Sequence, residues 1–317
     1  MSRVLITGYS GFVGQNLTPY LMDKNHEIVP ASRGINSGVS KKDTLLLYDV
    51  LTAETLDKMN IEVIVHLAGK AHDLKKTASE QEYFTVNTDL SIRLFDAFLQ
   101  SNAKVFIYMS SVKAVADKVT GTLNETASCQ PLTAYGKSKL AAEQYMLQQS
   151  LTPGKRLYIL RPCMIHGPGN KGNLNLLYRF VSNGIPYPLR LFSNKRSFLS
   201  IENLCFVINE IIEKPSMEPG IYHVADSMAL STAQVVDLVG EVLHKKVRYI
   251  DMPVRLVKFL ARMSNYLHLP FNSEHLEKLT ESYVVDNTRL ISALNKELPI
   301  DAEKGLKKTI VSFAHVD

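Results

Sequence analysis

The chain has no tryptophan, only three cysteines and no apolar run near the ~18 residues that a membrane span needs. Cys129, Cys163 and Cys205 share no paired spacing and match no metal-ligand pattern, which argues against a disulfide framework and against structural zinc. No metal is expected. Charge of one sign is also scarce, because 36 Lys and Arg stand against 31 Asp and Glu for a net +5. The basic residues fall in scattered pairs (Lys41-Lys42, Lys75-Lys76, Lys245-Lys246, Lys307-Lys308) without interleaved aromatics, so nucleic acid is not an expected partner. Internal repeats and low-complexity segments are missing as well. The opening Met-Ser-Arg-Val-Leu-Ile-Thr-Gly passes directly into a strand, so no signal peptide is expected. The expectation is a reduced, cytoplasmic protein with no membrane partner. Apolar content of 45% and charged content of 21% describe an ordinary folded chain. Its 317 residues suffice for one large or two intimately packed domains.

What is present begins with a strand, Arg3–Thr7, that runs into Gly8-Tyr-Ser-Gly11-Phe-Val-Gly14 and a helical pattern to about Asn25. Strand, glycine turn and helix open a nucleotide-binding α/β sheet, since glycines let the backbone turn close to a pyrophosphate and the helix N-terminus offers it free N–H groups. A second strand, Glu27–Ala31, ends in Ser32-Arg33. No carboxylate follows it to grip a ribose 2′-hydroxyl, whereas the Arg33 guanidinium suits a 2′-phosphate. The expected cofactor is therefore NADP or NAD, with Arg33 favouring NADP. Further strands at Thr44–Tyr48, Val63–His66, Lys104–Met109 and Tyr158–Leu160 alternate with helices, including a long amphipathic one over Glu80–Gln100. That rhythm predicts a parallel sheet with ligands at the carboxyl ends of its strands. Beyond Pro162 the rhythm weakens. Helices are expected at Leu176–Asn183, Thr232–Leu243 and Val254–Leu267, with one more strand at Gly220–Ala225.

Between the fifth and sixth of these strands lies Thr133-Ala-Tyr-Gly-Lys-Ser-Lys139, opening a helical run to about Gln149. Tyr135 and Lys139 are four apart and share a helix face. A free tyrosine keeps its proton to a pH of ~10, and a cation held close favours the phenolate. The pair is therefore a sensible acid/base unit for a hydroxyl or carbonyl proton.

With Gly8-x-x-Gly11-x-x-Gly14, Asp49-Val50, His66-Leu-Ala-Gly69, Asn87, Ser110-Ser111 and Tyr135-x-x-x-Lys139 in order, the chain resembles the extended short-chain dehydrogenase/reductases. Arg161-Pro162 and Gly167-Pro-Gly169 carry the resemblance over essentially the whole chain. Within that family it looks most like the nucleotide-sugar epimerases, dehydratases and 4-ketoreductases. Ser110-Ser-Val-Lys113 and Gly169-Asn-Lys-Gly-Asn173 resemble members acting on UDP-linked N-acetylhexosamines or their 4-keto-6-deoxy derivatives. The resemblance implies that Tyr135 moves the C4 hydroxyl proton, that Lys139 lowers its pKa and holds the nicotinamide ribose, and that Ser111 hydrogen-bonds the same substrate oxygen. It implies that Gly8, Gly11, Phe12, Val13 and Gly14 cradle the pyrophosphate, that Asp49 and Val50 hold the adenine, and that Leu67 and Ala68 pack the middle of the dinucleotide. Asn87 would support the adjacent helix and strand, Pro162 would border the cofactor, and Asn173 and Arg196 would bind the diphosphate of the sugar nucleotide.

Several positions depart from the family pattern. Val115-Ala116 stands where many members have Tyr and Gly, and Met164 where a substrate-contacting Asn is common. No arginine precedes Tyr283-Val-Val-Asp286 as it does in epimerases. Tyr283 is expected to line the sugar pocket and His166 to sit in the loop entering it. Val112-Lys113 replaces the Asp-Glu pair that a 4,6-dehydratase needs. The leading expectation is 4-keto reduction of a UDP-linked 6-deoxy-N-acetylhexosamine. The alternatives are a UDP-glucose or UDP-N-acetylglucosamine 4-epimerase and, from another class, a non-catalytic dinucleotide sensor. The expected fold is α/β, a Rossmann-type doubly wound parallel sheet over residues 1–165 to which the strand at 220–225 returns. A smaller C-terminal α/β substrate-binding region covers 166–317. Relatives also imply a homodimer through a four-helix interface that includes the Tyr135 helix, and a role in surface-polysaccharide precursor synthesis.

Overall fold

In the computed structural model, which describes residues 1–33, 46–71, 79–170, 173–266 and 273–314, short apolar strands alternate with helices through the first half of the chain. In order these are β1 (Arg3–Thr7), α1 (Phe12–Asp23), β2 (Glu27–Ser32), β3 (Leu46–Leu47), α2 (Ala53–Lys58), β4 (Val63–His66), α3 (Glu80–Phe84), α4 (Leu90–Gln100), β5 (Val105–Met109), β6 (Thr122–Leu123) and α5 (Ala134–Gln148). The second half continues with β7 (Arg156–Pro162), β8 (Met164–His166), α6 (Asn173–Ser182), β9 (Phe198–Ser200), α7 (Ile201–Glu213), β10 (Gly220–Val224), α8 (Thr232–Val242), α9 (Val254–Tyr266), α10 (Ser273–Thr280), β11 (Val284–Val285), α11 (Thr288–Leu294) and α12 (Ala302–Phe313).

Seven strands form one parallel sheet in the order β10-β7-β5-β4-β1-β2-β3. Its strands are apolar on both sides because helices cover both faces. Val4 and Ile6 of β1 join Leu17 and Leu21 of α1 and Leu204 and Ile208 of α7 in one core layer. Leu5, one residue out of phase, joins Leu56 of α2, Phe95 and Phe98 of α4 and Ala142 of α5 in the other. Each such Leu, Ile or Phe contributes about 1.5–3 kcal/mol through burial. The strand order reverses between β1 and β4, which opens a crevice at their carboxyl ends. The glycine turn follows β1 there and Leu67-Ala68-Gly69 follows β4.

A third apolar cluster lies outside the sheet and joins Leu177 and Tyr178 of α6, Val235 and Val239 of α8, and Leu306 and Ile310 of α12. Two small parallel sheets, β8-β9 and β6-β11, link this part to the loops that follow the main strands.

Four elements differ from the sequence expectation. The helix over Glu80–Gln100 is interrupted at Thr85–Asp89 by a π-helical turn. The Asn87 carbonyl accepts from Ser91 Oγ at 2.7 Å and Tyr108 Oη at 3.4 Å, side-chain bonds that favour the wider turn. The strand read at Thr44–Tyr48 is only Leu46–Leu47 before a single 3₁₀ turn, and residues 44 and 45 lie outside the described residues. β7 is longer than Tyr158–Leu160, because β5 and β10 pair along both its edges. Helix α6 begins at Asn173, and α9 is described to Tyr266, which leaves Leu267 outside.

Candidate active site

The turn after β1 is built by what its glycines lack. Gly8 has φ +70°, and a Cβ on it would stand 2.8 Å from the Ala68 nitrogen. A Cβ on Gly14 would stand 2.4 Å from Tyr9 Cα and 2.5 Å from the Gly8 oxygen, so the turn and α1 meet backbone to backbone. Gly11 caps α1 with no side-chain hydrogen bond, which leaves first-turn N–H groups for an anion. Phe12 and Val13 are partly buried against the core beside it. This cradle fits the pyrophosphate of a dinucleotide. Tyr48, which the sequence reading passed over, closes the turn from the side, its hydroxyl accepting from the Gly8 N–H at 2.9 Å. Burial pushes the Tyr48 phenol up, while that N–H and the nearby Arg33 pull it down. Arg33 therefore stands exposed at the end of β2, within electrostatic reach of the cradle. Asp49 and Val50 are exposed on the 3₁₀ turn after β3, with Asp49 Oδ1 3.7 Å from Arg93.

After β4, Leu67 is partly buried and Ala68 buried. A chain of hydrogen bonds fixes them. Ala68 N–H donates to Thr7 Oγ1 at 3.2 Å, and Thr7 Oγ1 lies 2.7 Å from His66 Nδ1. His66 Nε2 lies 2.8 Å from Ser91 Oγ, which donates to the Asn87 carbonyl. Because Ser91 spends its proton on that carbonyl, Nε2 carries the imidazole proton and Nδ1 accepts from Thr7. Burial, aided by the charge on Lys139, pushes His66 down to about 3. Asn87 is fully buried and ties three segments, accepting from Lys70 N–H at 2.7 Å and donating to Lys70 O at 3.1 Å and Ser138 Oγ at 2.9 Å.

Ser110 and Ser111 follow β5. Ser111 caps a 3₁₀ turn, Val112–Ala114, by accepting the Lys113 N–H at 3.2 Å. Thr133 caps α5 by accepting the Gly136 N–H at 3.2 Å. The Asp117 carboxylate holds that helix start through Leu132 N–H at 2.6 Å, Thr133 N–H at 3.1 Å and Thr133 Oγ1 at 3.0 Å. A Cβ on Gly136 would lie 2.3 Å from the Lys113 oxygen, so glycine lets α5 dock on the Ser111 turn. Tyr135 is thereby set beside the Ser111 turn, with the Tyr83 ring edge-on at 6.5 Å. One turn on, buried Lys139 donates to the Met109 carbonyl at 2.8 Å and stands 4.8 Å over the Tyr108 ring.

Burial pushes the Tyr135 phenol up, and the neighbouring Ser111 side chain is what opposes it. Burial pushes Lys139 itself down to about 8, against the upward pull of Glu143. Glu143 continues the Tyr135, Lys139 face by one more turn, and the sequence reading missed it. It is fully buried, accepts from Ser110 Oγ, and pairs with Arg161 through Nε at 3.1 and 3.2 Å and a terminal nitrogen at 2.5 Å. A Cβ on Gly69 would stand 3.1 Å from Lys139 Nζ and 3.0 Å from Asn87 Oδ1, so the β4 and β5 ends and α5 converge at one place.

Pro162 is buried at the end of β7, opposite Val224 of β10. Asn173 opens α6, and its side chain lies outside the described residues. Arg196 is 3.7 Å from Glu281, and its backbone is bridged to Leu230. Lys113 Nζ lies 4.3 Å over the Tyr283 ring and donates to the Asp117 carbonyl at 2.6 Å. Burial pushes Lys113 down, with Glu281 and Asp117 opposing and Arg196 adding to the fall. Tyr283 does not present its hydroxyl to a pocket. It is buried and donates to the Ala116 carbonyl at 2.7 Å and the Val112 carbonyl at 3.1 Å, pinning the Ser111 turn from below. His166 likewise is not in an entrance loop. It is fully buried in β8, with Nδ1 2.8 Å from Thr309 of α12 and Nε2 3.6 Å from Asp226. Among the described residues no group of three or more His, Cys, Asp or Glu could hold a metal.

The profile of the NAD dependent epimerase/dehydratase family matches residues 4–225. A UDP-glucose 4-epimerase of Vibrio cholerae is 31% identical over 98% of this chain and 95% of its own. A GDP-6-deoxy-D-mannose reductase of Pseudomonas aeruginosa is 22% identical over 80% of this chain and 84% of its own. The crystal structure of the Bordetella bronchiseptica enzyme WbmG in complex with NAD and UDP superposes with a TM-score of 0.76 at 17% identity, over 99% of this chain and 94% of that one, a likeness of fold.

Proposed function

The chain belongs to the NAD-dependent epimerase/dehydratase family, and from that membership we propose that it interconverts the hydroxyl and ketone at C4 of a nucleotide sugar. It is an enzyme of the extended short-chain dehydrogenase/reductase kind, so the non-catalytic sensor is not retained. The observation that carries the proposal is the convergence of the Ser111 turn with Tyr135 and, one helical turn on, buried Lys139, beside a glycine cradle. The cofactor, when bound, supplies or accepts the hydride.

The chain's own residues divide the remaining work. Gly8, Gly11, Phe12, Val13 and Gly14 form the pyrophosphate seat, Asp49 and Val50 border the adenine, and Leu67, Ala68, Asn87 and Pro162 wall the middle. Ser111 orients the C4 oxygen, and Tyr135 gives that oxygen a proton or takes one from it. The phenol pushed up by burial is the form that can donate, and Lys139 supplies positive charge when the proton leaves. Arg196 and Asn173 are assigned in this reading to binding the diphosphate. In this reading residues 1–165 with β10 bind the dinucleotide, 166–317 bind the sugar nucleotide, and two copies pair through helices of the first part.

We favour 4-epimerisation of a UDP-sugar, supported by the relative that is 31% identical over 98% of the chain. A second reading, 4-keto reduction, is favoured by Arg33, whose charge lies near the cradle where a 2′-phosphate would be recognised. Incubation with UDP-glucose or UDP-N-acetylglucosamine should yield the C4 epimer without net change in nicotinamide absorbance. Stoichiometric NADPH loss with a UDP-linked 4-keto-6-deoxy-N-acetylhexosamine, and no epimer, would establish reduction. Neither outcome with any nucleotide sugar would sink the proposal.

A further inference from the structure

Helix α9 reads Val254-Arg-Leu-Val-Lys-Phe-Leu-Ala-Arg-Met-Ser-Asn-Tyr266 and has a use that C4 chemistry does not absorb. Val257 and Ala261 seat one edge of it in the third apolar cluster, at 4% and 1% exposure. The next arc is apolar and open. Leu256, Phe259, Leu260 and Met263 are 45%, 58%, 48% and 42% exposed. Their spacing of i, i+3, i+4 and i+7 puts all four on one stripe. Beyond that stripe Arg255, Lys258 and Arg262 form a second one, all three exposed and without a carboxylate partner among the described residues. The helix contains no Asp or Glu. The segment leading into it adds exposed Lys245, Lys246, Arg248 and Ile250.

A contiguous apolar stripe on a surface helix marks something that covers it. Side chains about half exposed form a ridge rather than a groove, and a ridge inserts into a deformable surface more readily than into a packed one. The flanking cations select for negative charge. A second copy of this chain, with its net +5, would bring basic stripes towards one another. Lysine and arginine beside an apolar stripe can instead lay their stems on it and reach headgroup phosphates. We infer that α9 is an interfacial helix that seats the protein on an anionic lipid surface, with Leu256, Phe259, Leu260 and Met263 at the acyl boundary and Arg255, Lys258 and Arg262 at the phosphates. The expectation of no membrane partner weighed only spanning segments, and among the described residues no helix is long and apolar enough to cross a membrane. A helix lying in the plane of the surface needs no such length.

The missing tryptophan makes the test clean, because Phe259→Trp creates the only indole in the chain. The full-length protein is mixed with vesicles of phosphatidylglycerol and phosphatidylcholine, or of phosphatidylcholine alone. Sedimentation with the anionic vesicles is expected, with a blue shift of the Phe259→Trp emission and release by high salt. At about 1 kcal/mol per cation, replacing Arg255, Lys258 and Arg262 together with Gln should weaken vesicle binding by roughly a hundredfold. Leu256→Ser with Phe259→Ser should abolish it, and both variants should keep their turnover of a soluble substrate. Binding to neither vesicle, equal binding to both, or a blue shift that follows protein concentration without lipid would overturn the inference. The last result would assign the face to a second copy.

Discussion

His66 stays neutral in the folded protein through the whole range in which free histidine titrates. Its folded pKa of about 3 lies below the ordinary histidine value of 6.5, so only the unfolded chain takes up a proton as pH falls through 6.5. Stability is therefore complete above 6.5 and is lost as pH falls towards 3. Urea unfolding should show a loss of about 2 kcal/mol between pH ~6.5 and pH ~5 from this residue, and His66→Gln should flatten that slope. At the reacting end, Tyr135→Phe should lower kcat/KM by roughly 10²–10⁴ while titration with NAD(P)H shows unchanged cofactor affinity. That Tyr135 and Lys139 share a face was legible in the sequence, because four residues on a helix is a local relation. What each side chain touches was not. Lys139 faces the Met109 carbonyl, and Glu143 meets Arg161 only because β7 lies beside β5, a relation between strands that spacing along the chain does not carry.

At the scale of elements, the approach of α5 to the Ser111 turn depends on one missing methyl. Gly136→Ala would place a Cβ 2.3 Å from a backbone oxygen, which cannot rotate away, so the helix must shift. A displacement of an ångström at the reacting groups costs about 10²-fold, so turnover should fall steeply. The melting temperature should move by only a few degrees, as differential scanning calorimetry would show, because the rest of the α5 core face is untouched. A variant with full turnover would refute this account of the docking. The strands were readable because each is a short buried run between glycine-rich turns. The π turn at Thr85–Asp89 was not, because it answers to Tyr108 and Ser91 side chains that no helical periodicity registers. A similar three-way contact ends α4, where Lys155 donates to the carbonyls of Phe98, Ser101 and Ala103 at 2.6, 2.7 and 2.8 Å. It satisfies helix-end acceptors from the far side of α5.

For the molecule as a whole, the third apolar cluster is where the sequence spoke least. Helices α6, α8 and α9 were legible singly, but α10 and α12 were not read at all, although α12 carries Leu306 and Ile310 into the cluster and Thr309 to His166. Ile310→Ala should cost about 2–5 kcal/mol of stability in urea unfolding, since the side chain is fully buried and its neighbours come from three helices. Cofactor affinity, measured by calorimetric titration, should be unaffected, because Ile310 lies in a different cluster from the glycine cradle. The sheet, too, has a consequence that belongs to its synthesis. Its outermost strand, β10, is made about 60 residues after β7, which at ~5–20 residues per second leaves the β7 edge waiting roughly 3–12 s on the ribosome. Through that interval Arg156–Pro162 offers unpaired donors and acceptors to any strand that comes near. The yield of folded protein should then depend on how quickly residues 163–219 are delivered, and slow codons there should cost more than slow codons after Val224.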